Sequence, residues 1–180
     1  MLLILAREGP IGRYCLKEMI GLSEHEGLVR YMLADFQKQG IISASRSGCN
    51  LTEKGKRLLK ERLKKQHIVA IKTFDSSILR AGPISIGVHL RNKADKIDSA
   101  MEIRDIAIRG GATGATIILF KEGKITIPSV HPEFLSEYPD LVKNIRESFN
   151  LEDNDIVVTV SAEDEWKGFE ASITIAKLLS

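Results

Sequence analysis

"GLSEHEGLVRYMLADFQKQGII", residues 21–42, decides the fold of the first half of the chain. Ser23 followed three residues later by Glu26 has the spacing of a capping box, in which each side chain satisfies a backbone N–H at a helix start. Val29, Met32, Leu33 and Phe36 then recur at i, i+3, i+4 and i+7, the spacing of one buried helix face. Gly40 ends that helix as a C-terminal cap, and the two isoleucines after it open a strand. A turn of about 100° per residue leaves Gly27, Arg30, Tyr31 and Ala34 facing outward, with His25 near the exposed N-terminal end.

Working outward, Leu2 to Arg7 reads as a short apolar helix broken by "EGPIG". "RYCLKEMI" is a second helix, with Tyr14, Leu16 and Met19 or Ile20 as candidate core positions. After the third helix, "IISASR" and "NLT" are two extended pieces joined by the turn "SGC", which contains Ser47. Thr52 caps a fourth helix, "EKGKRLLKERLKK", with Leu58, Leu59 and Leu63 inward. Three helices, a hairpin and a closing helix make the order of a winged helix-turn-helix.

From about residue 67 the pattern becomes strands mixed with helices. "HIVAIKTF" and "PISIGVHL" are expected strands, and "DKIDSAMEIRDIAI" an expected helix ended by Gly110 and Gly111. "TGATIILFKEGKITIP" reads as a hairpin turning at Glu122 and Gly123, with Pro128 at its exit. A helix near Asp140 to Phe149, a strand at "DIVVTVSA" and a helix from about Asp164 complete the chain. The expected fold is α+β in two domains: a winged helix-turn-helix over residues 1–66, and over 67–180 a two-layer α/β sandwich with a mixed or antiparallel sheet. The short join between them predicts a fairly rigid junction.

A chain of 180 residues, 43% hydrophobic, can bury a real core. The apolar run from Leu2 to Ala6 meets Arg7 and Glu8 at once, too short for a signal peptide or membrane span, so a cytoplasmic protein with no membrane partner is expected. Cys15 and Cys49 lack metal-ligand spacing and are expected as free thiols, with a disulfide the lesser alternative. The net charge of +2 hides a division. Residues 1–66 hold 13 Lys and Arg against 7 Asp and Glu, while residues 67–180 hold 13 against 17. A basic module of that kind suits a polyanion.

A helix that enters the major groove buries one face in its own domain and offers small and polar residues to base edges. The third helix divides in that way, and its expected DNA contacts are His25, Gly27, Arg30 and Tyr31. Arg30 suits guanine or phosphate, and Gly27 permits close approach. Glu24 and Glu26 act against this, since a carboxylate repels phosphate. Arg46 and Ser47 lie at the hairpin turn, where a wing meets the minor groove, and Lys54 and Lys56 start a helix that also carries Arg57, Lys60, Arg62, Lys64 and Lys65. Protein docking and RNA binding are the alternatives.

"LSEHEGLVRYMLADFQKQGII" followed by "LTEKGKRLL" resembles the winged-helix core of prokaryotic transcription regulators, with about two extra residues at the start of the recognition helix. With "RDIAIRGGATGATIILF" in its second half, the whole chain is similar to an uncharacterised archaeal family with an N-terminal winged helix and a C-terminal α+β domain. The resemblance implies a transcription regulator and supplies no catalytic residue.

The expected function is therefore a homodimeric regulator of double-stranded DNA, its C-terminal domain assembling the dimer, with small-molecule sensing as a second role open to it. A protein-interaction adaptor is the alternative. Gly110, Gly111, Thr113 and Gly114 form the one stretch suited to an anionic ligand, although a helix cap at Gly110 and Gly111 with a tight entry to the next strand is the favoured account. Asp98, Glu102 and Asp105 share a helix face, with Asp95 near the helix start, and the set reads as solvated rather than metal-binding. His89, His131 and Trp166 are scattered, with His89 placed on the less buried sheet face. No catalytic residue, cofactor or metal is expected, and the chain is not read as an enzyme.

Overall fold

A computed structural model describes residues 1–128, 130–131 and 133–180, with the backbone alone at residue 77. The chain is an α+β protein with two antiparallel sheets, divided into compact units at Met1–Leu63 and Lys64–Ser180. Among the described residues no helix is long and apolar enough to cross a membrane.

The N-terminal unit runs α1 (Leu2–Glu8), α2 (Arg13–Met19), α3 (Glu26–Lys38), β1 (Ile42–Ser45), β2 (Gly48–Leu51) and α4 (Glu53–Lys65). Its core joins Leu2, Leu5, Leu16, Val29, Leu33, Ile41 and Leu51. Ile42 pairs with Leu51 and Ser45 with Gly48, so the hairpin turns at Arg46 and Ser47, one residue before the expected "SGC" turn. Ile11 adds an antiparallel bridge to Cys49, and a Cβ on Gly48 would collide with the Ile11 backbone. That close approach draws Gly48 and Cys49 into the strand.

Other expectations need correction here. No capping box forms: α3 starts at Glu26 behind His25, Ser23 Oγ donates to Glu18 Oε2 (2.5 Å), and Glu26 takes two arginines instead. Tyr14, a candidate core residue, is 60% exposed, with Arg13 and Lys17 each about 5 Å from its ring centre. Those two cations cover the ring in place of apolar partners. Leu58, Leu59 and Leu63 are only half-buried, and Gly55 is the buried residue of α4.

The C-terminal unit runs β3 (Ile68–Thr73), β4 (Ile84–Leu90), α5 (Ala100–Arg109), β5 (Gly114–Lys121), β6 (Lys124–Thr126), α6 (Phe134–Glu137), α7 (Pro139–Ser148), β7 (Asp155–Ala162) and α8 (Glu165–Leu178). Short 3-10 turns lie at Ser77–Leu79 and Ala94–Lys96. The five strands are antiparallel in the order β3-β4-β7-β5-β6, so β7 enters the centre of the sheet and is buried along its whole length.

Alternation along β7 explains the layers. Ile156, Val158 and Val160 share a face with Ile86 and Val88, against which α8 packs Gly168. Val157 faces the other way and joins Ile118, Leu141, Ile145 and Phe149 in a second core. Each such fully buried side chain contributes on the order of 1.5–3 kcal/mol. Both faces of β7 are buried, and α7 adds a layer opposite α5 and α8, where the sequence implied two layers only.

Candidate nucleic-acid interface

The third helix is held by its ends and one face. At its C-terminus the Ile41 N–H donates to Phe36 O (2.8 Å) and the Gly40 N–H to Gln37 O (2.9 Å), with Gly40 at φ +68°. This is a Schellman cap, whose left-handed residue favours glycine. It turns the chain from α3 into β1. Val29 and Leu33 anchor the inner face, with Met32 and Phe36 half-buried beside them.

The outward residues stand free of the unit's core. His25, Gly27, Arg30 and Ala34 are exposed, and Tyr31 is 71% exposed. Nothing lies within 4 Å of the place where a Cβ on Gly27 would sit. Leu28, which the sequence reading passed over, is also half exposed on this surface. Glu26 Oε1 accepts from Arg30 Nη2 (3.2 Å) and pairs with Arg13 Nη2 (3.1 Å), so its charge is spent on two cations, one from each helix.

At the hairpin tip Arg46 and Ser47 are exposed, and the Ser45 and Ser47 hydroxyls lie 2.7 Å apart. Thr52 starts α4: its Oγ1 accepts from the Gly55 N–H (3.1 Å) and donates to Gly40 O (2.7 Å). A Cβ on Gly55 would run into the Ile41 carbonyl oxygen, so the glycine lets α4 lie against the end of α3. Lys54 Nζ donates to Gln39 O (2.8 Å), which fixes it over the cap of α3. Lys56 Nζ donates to Glu53 Oε1 (2.7 Å), and that bond, then the lysine's charge, hold the Glu53 carboxyl below the usual range.

The weaker ligand candidates lie in the C-terminal unit. The N–H groups of Gly110, Gly111, Ala112 and Thr113 donate to Ile106, Ile108, Ala107 and Ser161 carbonyls. The stretch with Thr113 and Gly114 therefore caps α5 and opens β5, and those four donors are not free for an anion. Asp95 pairs with Lys121 (2.5 Å), Asp98, Glu102 and Asp105 are exposed, and no group among the described residues is placed to hold a metal ion. His131 is exposed, and Trp166 packs on Phe169.

His89 is fully buried, contrary to its expected place on the open face, because α7 covers that face with Phe149. Its Nε2 lies 2.8 Å from Asp155 Oδ2, and the Asp155 carboxylate also accepts from Arg91 Nη1 (2.7 Å), Asn92 N–H (2.9 Å) and Glu152 N–H (2.8 Å). Residues so distant in sequence leave no spacing signal that would have revealed this network. The Cys15 and Cys49 thiols are free. A hollow of about 390 Å³ beside the β5–β6 hairpin is lined by Leu119, Ile125, Ile127, Val130, Phe134 and Leu135 among others.

Known proteins add a family without an activity. A solved structure described as "Hypothetical protein PH0730 from Pyrococcus horikoshii OT3" is similar at 28% identity, over 98% of this chain and 88% of that one, with a TM-score of 0.72. No curated protein matches. The family described as "Domain of unknown function (DUF4443)" matches residues 81–179, more than half of the chain, and the protein belongs to that family.

Proposed function

We propose that the protein is a DNA-binding transcription regulator, acting as a homodimer, in which the N-terminal unit is a winged helix. The observation that carries this reading is the division of α3. Val29 and Leu33 are buried, while Gly27, Arg30, Tyr31 and Ala34 stand outward beside a two-residue hairpin tip bearing Arg46. A major groove admits such a helix, and small or bidentate side chains read base edges there. Glu26 does not oppose this arrangement, because Arg13 and Arg30 already neutralise it.

In this reading the C-terminal unit brings two copies together, so that two reading helices meet successive groove turns on a palindromic site. The hollow beside β5–β6, with its mostly aliphatic and aromatic lining, offers a place for a small effector. Fluorescence anisotropy of a labelled duplex pool, titrated at several salt concentrations, tests the reading. Binding that weakens steeply with salt supports it, and the lack of any binding near physiological ionic strength refutes it.

A second reading, a protein-docking adaptor, draws on Leu28 and Tyr31, two large exposed side chains on one helix. Under it, Leu28→Ala weakens capture of a protein partner and leaves duplex affinity unchanged.

A further inference from the structure

The positive charge of the N-terminal unit is not on the helix that carries its reading face. Within α3, Arg30 and Lys38 are balanced by Glu26 and Asp35, and the helix is neutral. Within α4, seven Lys and Arg stand against Glu53 and Glu61, a net +5. A duplex is attracted at long range by charge and discriminated at short range by groove contacts. On this chain the two tasks fall on different helices.

The cations of α4 are also arranged. At 3.6 residues per turn, Lys56, Arg57 and Lys60 fall within about 100° of one another around the helix, in a sector that Glu53 shares and that Leu63 borders on the Lys56 side. All three are exposed. Lys56 is held by Glu53, whereas Arg57 and Lys60 make no hydrogen bond or ion pair among the described residues. Lys56 and Lys60 are one turn apart, roughly 6 Å along the axis, close to two steps of the phosphate spacing of about 3.4 Å per strand along a duplex.

We propose that Lys56, Arg57 and Lys60 form a phosphate-gripping row on α4, which supplies most of the salt-dependent affinity for duplex DNA while α3 and the hairpin tip supply discrimination. The partner is the phosphodiester backbone: three projecting cations on one helix face are complementary to a line of evenly spaced anions. This assignment rests on the DNA-binding reading above. It divides the labour differently from a recognition helix that both grips and reads.

The test compares the wild-type chain, the triple variant Lys56→Gln/Arg57→Gln/Lys60→Gln, the charge-keeping variant Lys56→Arg/Arg57→Lys/Lys60→Arg, and Arg30→Ala. Each is titrated by anisotropy against random-sequence and selected duplexes between about 50 and 200 mM salt. All substituted positions are exposed, and thermal melts confirm that each variant folds. The triple Gln variant is expected to lose affinity for all sequences alike, with a salt slope shallower by about 0.9 per lost contact, or 2 to 3 in total. The charge-keeping variant keeps the wild-type slope, and Arg30→Ala alters preference among sequences with little change of slope. A triple Gln variant with the wild-type slope overturns the assignment and leaves DNA binding standing. A wild-type chain that binds no duplex overturns both, and one that binds polyglutamate as tightly as duplex points to an acidic protein partner and overturns both as well.

Discussion

His89 and Asp155 meet at 2.8 Å in the interior of the C-terminal sheet, and the other ring nitrogen, Nδ1, is buried with no hydrogen-bond partner among the described residues. The pairing fixes the tautomer: Nε2–H donates to the carboxylate, and Nδ1 carries a lone pair beside Phe149. Burial lowers the His89 pKa from 6.5, against the opposing pull of the Asp155 hydrogen bond and charge. A folded histidine that is harder to protonate than the unfolded one stabilises the fold above the unfolded pKa. That contribution is lost as pH falls below about 6.5, until the folded value is passed. Thermal melts should therefore drop between pH 7 and 5. His89→Leu should flatten that part of the profile and cost about 1–3 kcal/mol at neutral pH, since Asp155 loses a donor in the core. A profile unchanged by the substitution would rule this origin out.

Gly55 supplies a test of sign. In an open helix position, Gly→Ala stabilises by about 1 kcal/mol. Here the added Cβ meets the Ile41 carbonyl oxygen, a backbone atom that does not yield by a rotamer change. Gly55→Ala should destabilise instead, by about 1–3 kcal/mol in chemical denaturation.

Gly27 is the opposite case, because nothing lies within 4 Å of its would-be Cβ. Gly27→Ala should hold or raise the melting temperature. If α3 approaches a groove floor closely there, the same methyl should weaken duplex binding by roughly tenfold, about 1.4 kcal/mol. A more stable protein with unchanged duplex affinity would place Gly27 outside the contact.

The two thiols should separate kinetically. Cys15 is exposed, while burial pushes the Cys49 thiol up, with the Arg13 charge pulling the other way. A thiol-specific reagent at mildly alkaline pH should label Cys15 first, and peptide mapping of the early product checks the order.

Elements whose signals are local could be read from the sequence. The inner face of α3 follows from Val29 and Leu33 at i, i+4, the Glu122–Gly123 turn joins β5 to β6 with both residues at positive φ, and the expected strand "DIVVTVSA" coincides with β7. Features that depend on distant partners could not. Ser23 and Glu26 have the capping-box spacing, yet Glu18 and Arg13 from the preceding helix compete for them. His89 alternates with apolar neighbours and looks half-open, until Phe149 from a segment some sixty residues on closes over it. Tyr14 satisfies the helical period but is covered by two cations rather than a core. The outward residues of the candidate interface were legible because burying one helix face determines which residues remain on the other. Leu28, at the edge of that face, emerges only from its exposure, whereas the charge on α4 is legible in its seven Lys and Arg.

A duplex bound as proposed has its groove read by the outer face of α3 and the β1–β2 tip, with the α4 cations touching its backbone through side chains alone. Amide hydrogen exchange, compared between the free protein and its complex with a selected duplex, maps this most directly. Slowed exchange concentrated in residues 25–38 and 45–49 is the expected result. Duplex binding that slows exchange only within residues 67–180, and leaves α3 and the hairpin tip unchanged, would contradict it.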